Sequence, residues 1–93
     1  MDIVIDFNPA AFKHGVSEAD IRNAFINALY DDVLDGANDK HLLLGCDCNG
    51  NILEILYNII DEYSINVFHA MSCRSIFFHL LDDWRRMYGK NDR

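Results

Sequence analysis

The side chains best suited to chemistry lie close together in the last third of this sequence: His69 and Arg74, with Ser72, Cys73 and Ser75 around the arginine. An imidazole exchanges protons near neutral pH, and a guanidinium holds an oxyanion in a planar fork. If a helix begins at about Ser75, the backbone N–H groups of Ser72 to Ser75 add an anion site. Together these groups suit proton transfer beside an anionic substrate. Each also has a plainer alternative. By strand parity His69 shares a face with Ile65 and Val67, where a histidine serves as a hydrogen-bonded core or rim residue. Arg74 stands unfavourably for the helix macrodipole, and its alternative is a salt bridge to one of many carboxylates.

Other polar residues stand at element ends. Lys13 and His14 precede Gly15, where cations are favoured near a helix C-terminus; Lys40 and His41 enter a strand, whose alternation sends one of them outward. His79, beside the apolar stripe of the last predicted helix, reads as structural. Cys46, Cys48, Cys73 and His41 raise metal binding, but there is no C-x-x-C pair or H-x-x-x-H, and the aspartates at 31, 32, 35 and 39 lack a calcium-loop pattern. No metal and no cofactor are expected.

Positioning the His69–Arg74 stretch falls to the apolar run before it. Leu53, Ile55, Tyr57 and Ile59 would line one face of a strand and Ile52, Glu54, Leu56, Asn58 and Ile60 the other. Only the second face carries polar groups, which predicts a strand buried on one side. Asp61, Glu62 and Ser64 supply a turn, and Ile65 to about Ala70 the next strand. Upstream, Met1 to Phe7 alternates as a short edge strand. Asn8 and Pro9 open one or two helical turns that end at Gly15. Ser17 and Asp20 resemble a capping box, with Val16 and Ile21 as its staple, for a helix running to Leu29. Tyr30 to Asp35 is open between a helix end and a short strand. Lys40 to Gly45 reads as a strand, and Asn49-Gly50 as a two-residue hairpin turn. From about Ser75, Phe77, Leu80, Leu81, Trp84 and Tyr88 recur at helical spacing up to Gly89. The sum is one α+β domain over residues 1–93. It is an antiparallel β-meander of three to four strands, with two N-terminal helices and a C-terminal helix packed on it.

Composition narrows the function classes. The 93 residues, 51% hydrophobic and 25% charged, suit a single globule. No apolar run approaches the roughly 18 to 20 residues of a membrane span, and the N-terminus lacks a basic signal segment. A cytoplasmic protein with no membrane partner is therefore expected. Three cysteines, with Cys46 and Cys48 too close for a routine disulfide, read as free thiols in a reducing compartment. The net charge of −7 opposes a general affinity for nucleic acid, although residues 73–93 carry five basic against three acidic side chains. An acidic chain more naturally meets a basic partner.

Four signatures then occur in order: Phe7-Asn8-Pro9; Lys13-His14-Gly15-Val16-Ser17 opening a helix; Leu42-Leu43-Leu44-Gly45 followed by Asn49 to Tyr57; and Ile65 to Arg74 running into a helix. Over roughly residues 5 to 88 this arrangement resembles the BrnT family of bacterial toxins, the ribonuclease halves of type II toxin–antitoxin pairs. The resemblance implies a RelE-like fold, metal-independent RNA cleavage and a small antitoxin partner that masks the toxin. His69 and Arg74 would be central to cleavage, with Lys13, His14 and His41 lining the site. They would supply a base, an acid and a cation for the phosphorane. Lys40-His41 and His69-Ala70-Met71 depart from the family's more cationic pattern. The alternative is thus a non-catalytic acidic interaction module on the same fold, docking a basic partner.

Overall fold

Capping chemistry sets the N-terminal third much as the sequence predicts. In the computed structural model, which describes residues 3–34, 36 and 39–82, the first strand β1 (Val4–Phe7) runs into Asn8. The Asn8 side chain accepts a hydrogen bond from the Ala10 N–H at 2.9 Å and opens a 3-10 turn, Pro9–Phe12. The chain reverses at Gly15, whose φ of +82° suits a residue without Cβ. Helix α1 (Glu18–Ile26) follows, its Asp20 N–H donating to Ser17 Oγ at 3.1 Å. Asp20 is not a full capping-box partner, because its carboxylate accepts from the Ser17 hydroxyl at 3.0 Å and the Cys48 N–H at 2.9 Å. Val16 packs against the core cluster that contains Ile21, in keeping with a staple.

The predicted helix to Leu29 ends earlier, at Ile26. Residues 28–33 find ladder partners instead, and strand β2 (Ala28–Val33) pairs with β3 (His41–Cys46), an override of local helix preference by tertiary pairing. A five-residue connection, 47–51, leads from β3 to β4 (Ile52–Asp61). It is not a bare two-residue turn. The Asp47 carboxylate accepts from the N–H groups of Asn49 at 2.9 Å and Asn51 at 2.8 Å, while Gly50 supplies the positive φ. A tight turn then returns the chain as β5 (Ser64–Ser72).

The class is α+β, but the sheet is neither a meander of three to four strands nor wholly antiparallel. Its order is β1-β5-β4-β3-β2, five strands, with β1 parallel to β5 and the other neighbours antiparallel. The segment 8–27 lies between β1 and β2, so β1 and β2 end up at opposite edges rather than as neighbours.

Both faces of the sheet are covered over part of their length, which corrects the expectation of a β4 buried on one side. On one face α1 and the 3-10 turn bury Ala11, Ile21 and Ala24 against Leu43, Leu53, Ile55, Tyr57, Val67 and Ala70. Gly45 permits the approach: a Cβ there would run into the carbonyl of Ala24. On the other face the chain beyond β5 makes a second 3-10 turn, Ser75–Phe77, and is helical over 78–82. Phe77, Leu80 and Leu81 pack there on Leu42, Leu44, Ile52 and Leu56. The remainder of the predicted C-terminal helix, with Trp84, Tyr88 and Gly89, lies outside the described residues. Among the described residues no helix is long and apolar enough to cross a membrane.

Candidate functional site

A carboxylate that sequence patterning assigns to the polar face organises the site. Glu54 is the third residue of β4, opposite Leu44 of β3 and Met71 of β5, and is completely buried. An ionised carboxylate in such a place must be met by donors. Arg74 donates its backbone N–H to Oε1 at 2.9 Å, its Nε–H to the same oxygen at 2.9 Å and its Nη2–H to Oε2 at 2.7 Å. His69 Nε2 completes the set, 3.0 Å from Oε2. Burial alone would raise the Glu54 carboxyl, but the bonds from Arg74 and His69 outweigh it and hold the group below the usual carboxylate range. Reciprocally, the hydrogen bond to Glu54 raises Arg74 further.

A β-bulge brings His69 to this carboxylate. Leu56 pairs with His69 and the next residue, Tyr57, with Val67, so Phe68 is an extra residue in β5. The parity of the strand flips there. His69 therefore does not share the face of Ile65 and Val67; it shares the face of Glu54 and Leu56, with Ala70 turned to the α1 core. Because the Glu54 carboxylate only accepts, His69 Nε2 is the donor in this bond. The His69 side chain is 22% exposed and that of Arg74 50%.

His14 joins the pair from the edge of the sheet. The 3-10 turn Pro9–Phe12 follows β1 along β5, tied by the Asn8 N–H to the Val67 carbonyl at 2.8 Å. The loop behind it sets the His14 ring edge-on to His69, with centroids 5.6 Å apart. Lys13 is exposed beside His14, and among the described residues no side-chain bond ties it to Glu54. His41 is not brought to the cluster. It stacks on Tyr57 on the α1 face, centroids 5.0 Å apart, while the Tyr57 hydroxyl donates to Asp31 at 2.7 Å.

Three of the five sequence candidates, His69, Arg74 and His14, thus converge, and Glu54 is the residue that patterning missed. Its signal was a lone acid inside ILEILY, where every neighbour is apolar. The salt bridge named as the plainer alternative for Arg74 is present, with Glu54 as its carboxylate. Among the described residues no group of histidine, cysteine and carboxylate side chains is arranged to hold a metal, and Cys46, Cys48 and Cys73 are free thiols. Burial, then the Glu54 charge, raises the Cys73 thiol, which disfavours its nucleophilic thiolate form. His69 and Arg74 form an open shelf. One groove of about 660 Å³ lies beside α1, and another of about 470 Å³ is lined by Asp47, Ile52, Ser72, Phe78 and Cys73, the last next to Arg74 in sequence. No family model, curated protein or solved structure matches the chain.

Proposed function

We propose that this chain is a BrnT-like toxin component with a RelE-like fold, a metal-independent endoribonuclease that a protein partner of the antitoxin kind neutralises. The observation that carries this reading is the His69–Glu54–Arg74 triad with His14 at its edge. A buried carboxylate that fixes one nitrogen of a partly exposed imidazole is an arrangement that suits acid–base catalysis. In the proposed step His69 Nδ1 removes the proton from a ribose 2′-hydroxyl. The 2′-oxygen then attacks phosphorus, and His14 gives its proton to the departing 5′-oxygen. The products are a 2′,3′-cyclic phosphate and a 5′-hydroxyl end. The outward edge of the Arg74 guanidinium would hold a non-bridging oxygen as charge develops.

The test is cleavage of a labelled single-stranded RNA in the presence of a chelator. The wild type should yield cyclic-phosphate ends, and His69→Ala and His14→Ala should each lose activity by about 100-fold or more while keeping their circular dichroism, the usual scale for removing an acid or base. Intact RNA under concentrated, folded wild type would refute the reading.

One observation favours the second reading, an acidic interaction module without catalysis. Arg74 is already neutralised by Glu54. On that reading the triad fastens the C-terminal segment to the sheet, and growth is unaffected by expression of the chain.

A further inference from the structure

Helix α1 is too short for the sheet it covers. Its nine residues span about 14 Å at 1.5 Å each, whereas the ten residues of β4 extend about 33 Å. Beyond the C-terminal end of α1 the same sheet face therefore lies open, and the groove of about 660 Å³ is its floor, with Ile5, Ile65, Phe25 and Tyr57 among its lining. Ile26, 80% exposed at the last turn of α1, and Ile3, 54% exposed, stand on its rim. The apolar surface continues along β4 to Ile59, which pairs with Ile65 and is 55% exposed. A contiguous apolar patch edged by polar groups is the signature of a docking surface rather than of scattered surface hydrophobes.

The charges at this groove select the occupant. Asp31 accepts the Tyr57 hydroxyl and, among the described residues, forms no ion pair. Arg22, the cation in the lining, is matched by Glu18 at 2.9 Å and lies over the Phe7 ring. The uncompensated charge is therefore negative, in a chain of net charge −7, with Asp32 next along β2, Asp61 at the end of β4 and Glu62 in the turn after it. A polyanion is repelled from this side, and a cationic segment is drawn to it.

We propose that this groove docks a basic segment of a partner protein, which seats one large apolar side chain against Ile26, Phe25 and Tyr57 and sets an arginine or lysine on Asp31. The inference stands apart from RNA cleavage, because its residues share nothing with the His69 shelf and either idea can fail alone.

The test uses fluorescein-labelled ten-residue peptides that combine arginine and lysine with one leucine, isoleucine or phenylalanine, read by anisotropy against the full chain. Twins carry serine for the apolar residue or glutamate for the basic ones. Saturable binding of at least one basic apolar peptide, and of neither twin, is expected. Ile26→Glu should weaken it by about tenfold or more, as loss of an anchor contact does. Asp31→Asn should weaken it about two- to fivefold, the scale of a half-exposed ion pair. Asp82→Asn, which removes the same charge elsewhere, should leave it unchanged. Absence of saturable binding, equal binding of the serine twin, or equal loss in Asp82→Asn would overturn the proposal. So would a wild-type dimer that Ile26→Glu splits, since the occupant would then be a second copy of the chain.

Discussion

Replacing Glu54 by glutamine tests the site and the fold through one atom. The amide keeps the shape of the carboxyl but removes its charge, and its NH₂ must face donors that now find no acceptor, whichever way it turns. Four donors are at stake: the Arg74 N–H, Nε–H and Nη2–H, and His69 Nε2. Breaking a buried ion pair costs about 3–5 kcal/mol, but the half-exposed Arg74 side chain recovers water, so a loss of about 2–3 kcal/mol is expected. For a domain of this size that lowers the thermal midpoint by roughly 10–20 °C. The effect carries a pH signature. The Glu54 carboxyl titrates lower in the folded chain than its ordinary 4.5, so its stabilisation is complete above that value and is lost as pH falls through the lower folded one. Urea midpoints of wild type and Glu54→Gln should therefore differ by a constant amount from pH 7 to about 5 and converge below. Equal midpoints at pH 7, or a gap that widens in acid, would refute the account of Glu54 as an ionised anchor.

Two further substitutions probe the elements that carry the site. Gly45→Ala forces a methyl group against the Ala24 carbonyl and should cost about 1–3 kcal/mol by urea unfolding, the scale of an overpacked core, with α1 losing its seat on β3. Tyr57→Phe removes the bond to Asp31 and should cost about 1 kcal/mol. Burial, with the Asp31 bond second, holds the Tyr57 hydroxyl protonated well above the ordinary tyrosine range. An alkaline absorbance titration of Tyr57→Phe should accordingly lack a late phase that the wild type shows.

What was legible in the sequence was local chemistry. Asn8 and Ser17 cap the turns they precede, Gly15 and Gly50 take positive φ, and the pair of strands after residue 52 is present. What was not legible depended on pairing between distant segments. Residues 28–33 have no strand signal strong enough to stand against the helix before them, and only the ladder with β3 decides them. The parallel pairing of β1 with β5 is likewise a property of the whole chain path. Two errors at the site share one cause. Parity along a strand assumes an unbroken ladder and one solvated face; the bulge at Phe68 breaks the first assumption for His69, and the covering of Leu42, Leu44 and Leu56 by Phe77, Leu80 and Leu81 breaks the second for Glu54.

The acidity of the chain and the proposed phosphate-handling role conflict less than net charge suggests, because the Glu54–Arg74 pair separates orientation from charge. Glu54 consumes the Nε and Nη2 donors on one side of the guanidinium and cancels its charge, so long-range attraction for RNA at this shelf is small. The guanidinium plane is nevertheless held at Nε and Nη2, and the Arg74 backbone N–H is bonded to the same carboxylate. If RNA is the substrate, a site built this way would bind a ground-state phosphate weakly and gain most where charge accumulates in the transition state. If RNA is the substrate, Glu54→Gln should then raise affinity for uncleaved RNA, by freeing the Arg74 charge, while lowering the rate of cleavage. A purely fastening role for Glu54 predicts that affinity and rate fall together, in step with the folded fraction.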